Sequence, residues 1–135
     1  MAQKRPNRHA EHYAAWIKSY PDDLWGQTGA AHRSAPGEDS AETLVETLVD
    51  QLQLKPEEIL LDLGCGNGAL TNLMFDRCAG GLGIDYTEAL IETAKARFET
   101  DPRRYNNQDI LSGVAEVEAP QRFTKAMSYG AFRYL

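Results

Sequence analysis

Asp62, Gly64, Gly66 and Gly68 stand at alternate positions in residues 60–70, LLDLGCGNGAL, and Asp85 closes the next apolar run, GGLGID. These residue types at this spacing suit the holding of a nucleoside. A glycine takes positive φ and lets a ligand come close to the backbone. Three of them at alternate positions make a tight turn pressed against something flat or charged. The helical pattern that follows offers unpaired N–H groups at its start. A carboxylate at the end of the next strand can accept hydrogen bonds from the two hydroxyls of a ribose. Cys65 and Asn67 fill the positions between the glycines and belong to the same candidate site. Cys65 also suits a small buried filler.

Gly64-x-Gly66-x-x-Ala69 formally satisfies a dinucleotide fingerprint, and Asp85 has nearly the matching offset. Against that alternative, Asp62 sits where a dinucleotide fold normally has an apolar residue. The third glycine is at 68, giving G-x-G-x-G, and a long capped helix precedes the first strand.

The elements that position these residues follow from periodicity. HAEHYAAWIKSY suits a short helix with Tyr13, Trp16 and Ile17 on one side. A loop rich in Pro, Gly, Asp and Ser follows it. DSAETLVETLVDQL is a helix with Asp39 as cap, Glu42 as capping-box partner, and a stripe of Leu44, Val45, Leu48, Val49 and Leu52. Residues 59–63 form a short, nearly continuous apolar run, the pattern of a strand buried on both faces. After the glycine turn, ALTNLMFDRC is a helix and GGLGID a strand. TEALIETAKARFE is a helix capped by Thr87, burying Leu90, Ile91, Ala94 and Phe98. YNNQDI is expected as a third strand ending near Asp109, and FTKAMSYGA as a fourth. Such alternation means an α/β fold with a mostly parallel sheet.

The stretch ILLDLGCGNGAL resembles the first motif of the class I S-adenosylmethionine-dependent methyltransferases. GLGIDYTEALIETAKARF resembles their second strand and its helix, NNQDIL the segment that flanks the adenine, and FTKAMSYGAFRYL the fourth strand with the substrate-side segment. The resemblance spans roughly residues 40–135. It implies a Rossmann-like methyltransferase fold with helices on both faces of the sheet. It also implies S-adenosyl-L-methionine as cofactor and in-line displacement at its methyl group. Gly64, Gly66 and the turn through Cys65, Asn67 and Gly68 would face the methionine part, with Asp62 orienting the turn from behind. Asp85 would bind the ribose hydroxyls, with Tyr86 beside the adenine. Asp109 would accept from the adenine amine, Ile110 would pack on the ring, and Ser128 and Tyr129 would lie near the donor methyl. Residues 1–38 resemble a lid, and residues 39–135 the cofactor-binding core.

The 135 residues carry a net charge of −6, with 42% hydrophobic and 25% charged residues. That balance argues against a broad phosphate-binding surface and makes a small-molecule methyl acceptor the expected partner, rather than nucleic acid. Two cysteines with no apolar leader point to a reducing, cytoplasmic setting. No apolar run approaches a membrane span. The three histidines and two cysteines fit no zinc spacing, so no metal is expected. His12 and His32 are the candidates by type should an acceptor need a general base, and no catalytic residue is assigned.

The resembled family continues beyond a fourth strand, so the expected chain is the N-terminal part of such a domain, truncated after that strand. An uncovered fourth strand would be a pairing edge, predicting a homo-oligomer through the sheet edge. The alternative is a cofactor-binding or self-assembling fragment without turnover.

Overall fold

The structure is a computed structural model that describes residues 8–28, 31, 41–110 and 123–129. Helix α1 spans Arg8–Ser19 and α2 spans Ala41–Leu52. Then come β1 (Ile59–Leu63), α3 (Ala69–Phe75), β2 (Gly80–Asp85), α4 (Glu88–Phe98), β3 (Arg103–Asn107) and β4 (Lys125–Met127). Asp39, the expected cap of α2, lies outside the described residues.

The stripe read from the sequence is the face that α2 packs. Val45 is buried, and Leu44, Leu48, Val49 and Leu52 lie half-buried against the same core. The helix ends on Gln53 at φ 51, with Leu54 N–H donating to the Val49 carbonyl (3.0 Å) and Gln53 N–H to the Asp50 carbonyl (3.1 Å). This is a Schellman closure, which satisfies carbonyls the last turn leaves open.

All strand pairings are parallel, in the order β3-β2-β1-β4. The chain steps outward from β1 to β2 to β3, then returns to β1's other side with β4. The order therefore reverses beside β1, where an open α/β sheet leaves a crevice at its carboxyl edge. The register places Leu63 opposite Ile84 and Asp85 opposite Asn107, so the ends of β1, β2 and β3 share that edge.

The expectation that β1 is buried on both faces needs correction. Leu60 and Asp62 are buried on one face, while Ile59, Leu61 and Leu63 on the other are half-buried. The doubly buried strand is β2, where only Asp85 is not fully buried. The core lies where Leu60, Met74, Phe75, Ile91, Ala94, Tyr105 and Met127 meet. The Phe75 and Tyr105 rings pack tilted, with centroids 5.9 Å apart, within the range in which aromatic pairs attract.

The third strand is displaced from its expected place. It begins at Arg103, two residues early, and ends at Asn107, so Asp109 lies beyond it. The cause is a side-chain anchor that hydropathy does not show. Arg103 forms an ion pair with Asp76 (2.6 Å) and donates to Asn72 Oδ1 (2.7 Å), tying a polar strand to the end of α3. The fourth strand covers only the middle of its expected span. Thr124 starts it, taking a hydrogen bond from Ile59 N–H on its hydroxyl (2.9 Å), and residues 130 and 131 lie outside the described residues. Helix α3 is also shorter than expected, passing into turns after Phe75.

Candidate functional site

The glycine turn is built as its spacing requires. Gly64, Gly66 and Gly68 have φ of 90°, 57° and 83°, a region that side-chain-bearing residues rarely enter. Gly64 and Cys65 N–H both donate to the Ile84 carbonyl (2.8 and 2.9 Å), strapping the turn to the end of β2. Gly68 then stands at the N-cap of α3.

Asp85 is the hinge of the arrangement. Its Oδ2 accepts from Gly66 N–H at 2.9 Å and its Oδ1 from Thr87 N–H at 2.8 Å. One carboxylate thus fixes both the glycine turn and the start of α4. Burial raises its pKa, opposed by hydrogen bonds from Thr87, Gly66 and Tyr86. Thr87 occupies the cap position of α4 as expected, but its side chain makes no cap hydrogen bond. Instead its hydroxyl serves Asp85, so the carboxylate outcompetes the helix end.

Asp62 lies behind the turn, 3% exposed, and accepts from the Thr71 hydroxyl at 2.6 Å. Its pKa is pushed up to about 7, first by desolvation and further by the charge of Asp85, against the opposing Thr71 hydrogen bond. Cys65 faces inward at 8% exposure. Its thiol is raised well above its ordinary value by burial and by Asp85 and Asp62. A thiol held neutral in this way packs and does not attack.

Asn67 is 2% exposed, and its amide is engaged at both ends. Oδ1 accepts from Ala69 N–H (3.0 Å), while Nδ2 donates to the Leu24 carbonyl (2.9 Å). It therefore clamps the N-terminal segment onto the glycine turn. Trp25 packs against the core beside it, and Gln27 is buried, donating to the Tyr20 carbonyl. Tyr86, Asp109, Ile110 and Ser128 are half-buried. Asp109 and Ile110 follow the end of β3, next to Asp85, since Asn107 and Gln108 both donate to the Asp85 carbonyl (3.0 and 2.9 Å). Ser128 follows β4 and donates its hydroxyl proton to the Leu63 carbonyl at 2.9 Å, so it presents an acceptor oxygen. Tyr129 packs on the core. The His12 side chain and all of His32 lie outside what is described.

Sequence reasoning missed Tyr105 and Gly83. A Cβ on Gly83 would sit 2.8 Å from Cys65 Cβ and 3.1 Å from the Tyr105 ring. The bare strand at Gly83 lets Cys65 and Tyr105 pack beneath the turn. A glycine inside a strand was the available signal, since it often marks close approach. Gly83→Ala is expected to destabilise the fold by about 1–3 kcal/mol through overpacking. Chemical denaturation checks this, and an unchanged midpoint would mean the turn yields freely.

The family model described as "Methyltransferase domain" matches residues 54–125. The chain is 33% identical over 95 residues to a malonyl-[acyl-carrier protein] O-methyltransferase of Acetivibrio thermocellus, covering 67% of this chain and 32% of that protein. It is 30% identical over 81 residues to ribosomal RNA small subunit methyltransferase A of Mesomycoplasma hyopneumoniae, covering 60% and 30%. Among solved structures, it is similar to an S-adenosylmethionine-dependent methyltransferase of Thiobacillus denitrificans in complex with S-adenosyl-L-homocysteine. The TM-score is 0.54 at 26% identity, covering 76% of this chain and 41% of that one. The chain thus spans about a third of the length of these curated relatives.

Proposed function

Since the chain belongs to the class I S-adenosylmethionine-dependent methyltransferases, we propose that it binds S-adenosylmethionine along the edge formed by the glycine turn, Asp85 and residues 107–110. We further propose that the whole protein transfers the methyl group to a small-molecule acceptor. The observation that carries the reading is Asp85, a carboxylate fixed by Gly66 and Thr87 N–H groups beside a turn without side chains. The site fits the cofactor's nucleoside. Two ribose hydroxyls would use the remaining acceptor capacity of the carboxylate, leaving the two backbone bonds from Gly66 and Thr87 in place.

When bound, the cofactor supplies a methyl on a sulfonium, already activated for displacement. The residues of this chain then align and desolvate. The Gly64–Gly68 turn lets the methionine part approach the backbone. Asp109 accepts from the adenine amine, and Ile110 packs on the ring. Ser128 and Tyr129 border the region where an acceptor would enter. The described N-terminal segment, residues 8–28, serves as the cover, supported by the Asn67–Leu24 hydrogen bond.

The acidic balance, −6 overall, supports a small acceptor. A nucleic-acid acceptor is the second reading, favoured by the ribosomal RNA methyltransferase among the relatives. Radiolabel from methyl-labelled cofactor, followed with metabolite extract and with RNA in parallel, is expected in the small-molecule fraction. Label confined to RNA would overturn the small-molecule reading. Among the described residues no helix is long and apolar enough to cross a membrane. Two free cysteines support a cytoplasmic setting.

Strand β4 is an edge of the described sheet. An open edge is a template for pairing, and homo-oligomer formation through it belongs to the proposal. Light scattering is expected to report a dimer or larger species, and a monodisperse monomer at high concentration would rule that out.

A further inference from the structure

Among the described residues, two buried side-chain polar atoms lack any hydrogen-bond partner: the Tyr105 hydroxyl and Gln108 Oε1. A buried acceptor without a donor is costly, because its water has been removed and nothing has replaced it. The two atoms lie in different parts of the fold. Tyr105 is fully buried in mid-strand, its ring wedged against Gly68 and Gly83. Gln108 is the first residue beyond β3, at the edge where the strands end. Its backbone N–H donates to the Asp85 carbonyl at 2.9 Å, which fixes its position relative to the proposed ribose-binding carboxylate. The preceding residue, Asn107, donates its side-chain amide to the same carbonyl at 3.0 Å. The anchor is therefore double, and the Gln108 amide is the part left unused.

We propose that Gln108 is a base-reading residue, whose side-chain carbonyl accepts an N–H from the exocyclic amine of the bound purine. The inference rests on the cofactor reading above and goes beyond it, because that reading gave the amine to Asp109 alone. An amino group has two N–H donors, so two acceptors can share it. Gln108 as a whole is half-buried, so part of its side chain reaches the surface beyond the end of β3, and in the bound state its amide would turn to bring the carbonyl to the purine. A side-chain amide also suits an aminopurine, since its carbonyl oxygen can only accept and so favours the amine over a purine that lacks it.

The test is calorimetric titration of the chain with S-adenosylhomocysteine and with the analogue whose purine lacks the 6-amino group. The parent is expected to prefer the amino form. Gln108→Leu is expected to weaken binding of the amino form roughly 5–10-fold, the size of one hydrogen bond, and to leave the analogue unchanged. The preference would then collapse. The same variant removes the orphaned acceptor, so its melting temperature without ligand is expected to stay level or rise. A purely structural residue would show the opposite, a lower melting temperature and equal losses for both ligands. Retention of the parent preference in Gln108→Leu, with its loss in Asp109→Ala, would overturn the proposal while leaving the cofactor reading intact. A parent chain that binds neither ligand would overturn both.

Discussion

Asp85→Ala is expected to weaken S-adenosylhomocysteine binding by about 100-fold or more in calorimetric titration, the largest loss of any single substitution in the proposed site. Two effects combine in this figure. The variant would lose two carboxylate hydrogen bonds to ribose, each worth about 1.5–3 kcal/mol because one partner is charged. It would also leave the N–H groups of Gly66 and Thr87 without their acceptor. The glycine turn would then lose the contact that holds its middle residue over the end of β2. Asp85→Asn separates the two effects. An asparagine oxygen can keep one of the backbone donors but carries no charge, so an intermediate loss on the order of tenfold is expected. Circular dichroism on both variants establishes that the sheet persists. Binding of Asp85→Ala within about threefold of the parent would remove Asp85 from the site and with it the principal support for the nucleoside reading.

The residues that control this edge differ in how visible they were. The alternate glycines and Asp85 could be read directly, because a tight turn and a strand-end carboxylate depend on local rules: positive φ, helix starts and the end of an apolar run. The same holds for the α2 stripe and for β2, whose bounds match the expectation. What escaped depends on contacts between distant parts of the chain. The start of β3 is set by Arg103 reaching Asp76 and Asn72, and no periodicity in RRYNN announces it. Asn67 looked like one more ligand-facing turn residue. Its side-chain amide also reaches the Leu24 carbonyl, 43 residues away. Thr87 is a sound cap by residue type, but the nearby carboxylate of Asp85 claims its hydroxyl. Gly83 needed knowledge of which side chains cross over it, which the register of β2 and the fold of the glycine turn jointly determine. In each case a local preference was overridden by a tertiary partner that only the assembled sheet brings near.

The same assembled sheet makes Asp62 a source of pH-dependent stability. The carboxyl is buried on β1 with one hydrogen bond, from Thr71, and it shares its surroundings with Asp85, Cys65 and Tyr105, none of which offers a positive charge. Its folded-state pKa, about 7, lies above the ordinary 3.8. Folded protein therefore holds this proton more tightly than unfolded chain does. The resulting stability is fully present below the unfolded pKa and is lost as pH rises through about 7. Asp85, also raised, adds a change of the same sign. The melting temperature of the parent is thus expected to fall from acidic to neutral buffer, with a loss on the order of 4 kcal/mol from Asp62 alone across the whole interval between its unfolded pKa of 3.8 and its folded pKa of about 7, and about 1–2 kcal/mol of it above pH 6. Asp62→Asn keeps an oxygen to accept from Thr71 but cannot ionise. Its melting temperature should change much less over the same range, and the gap between variant and parent should move in the variant's favour as pH rises. That trend is informative even if the new amide lowers stability at every pH, because only the titrating carboxyl makes the gap depend on pH. Parallel melting curves for the two proteins across that range would show that Asp62 stays ionised throughout, and hence that solvent or a donor reaches it behind the glycine turn.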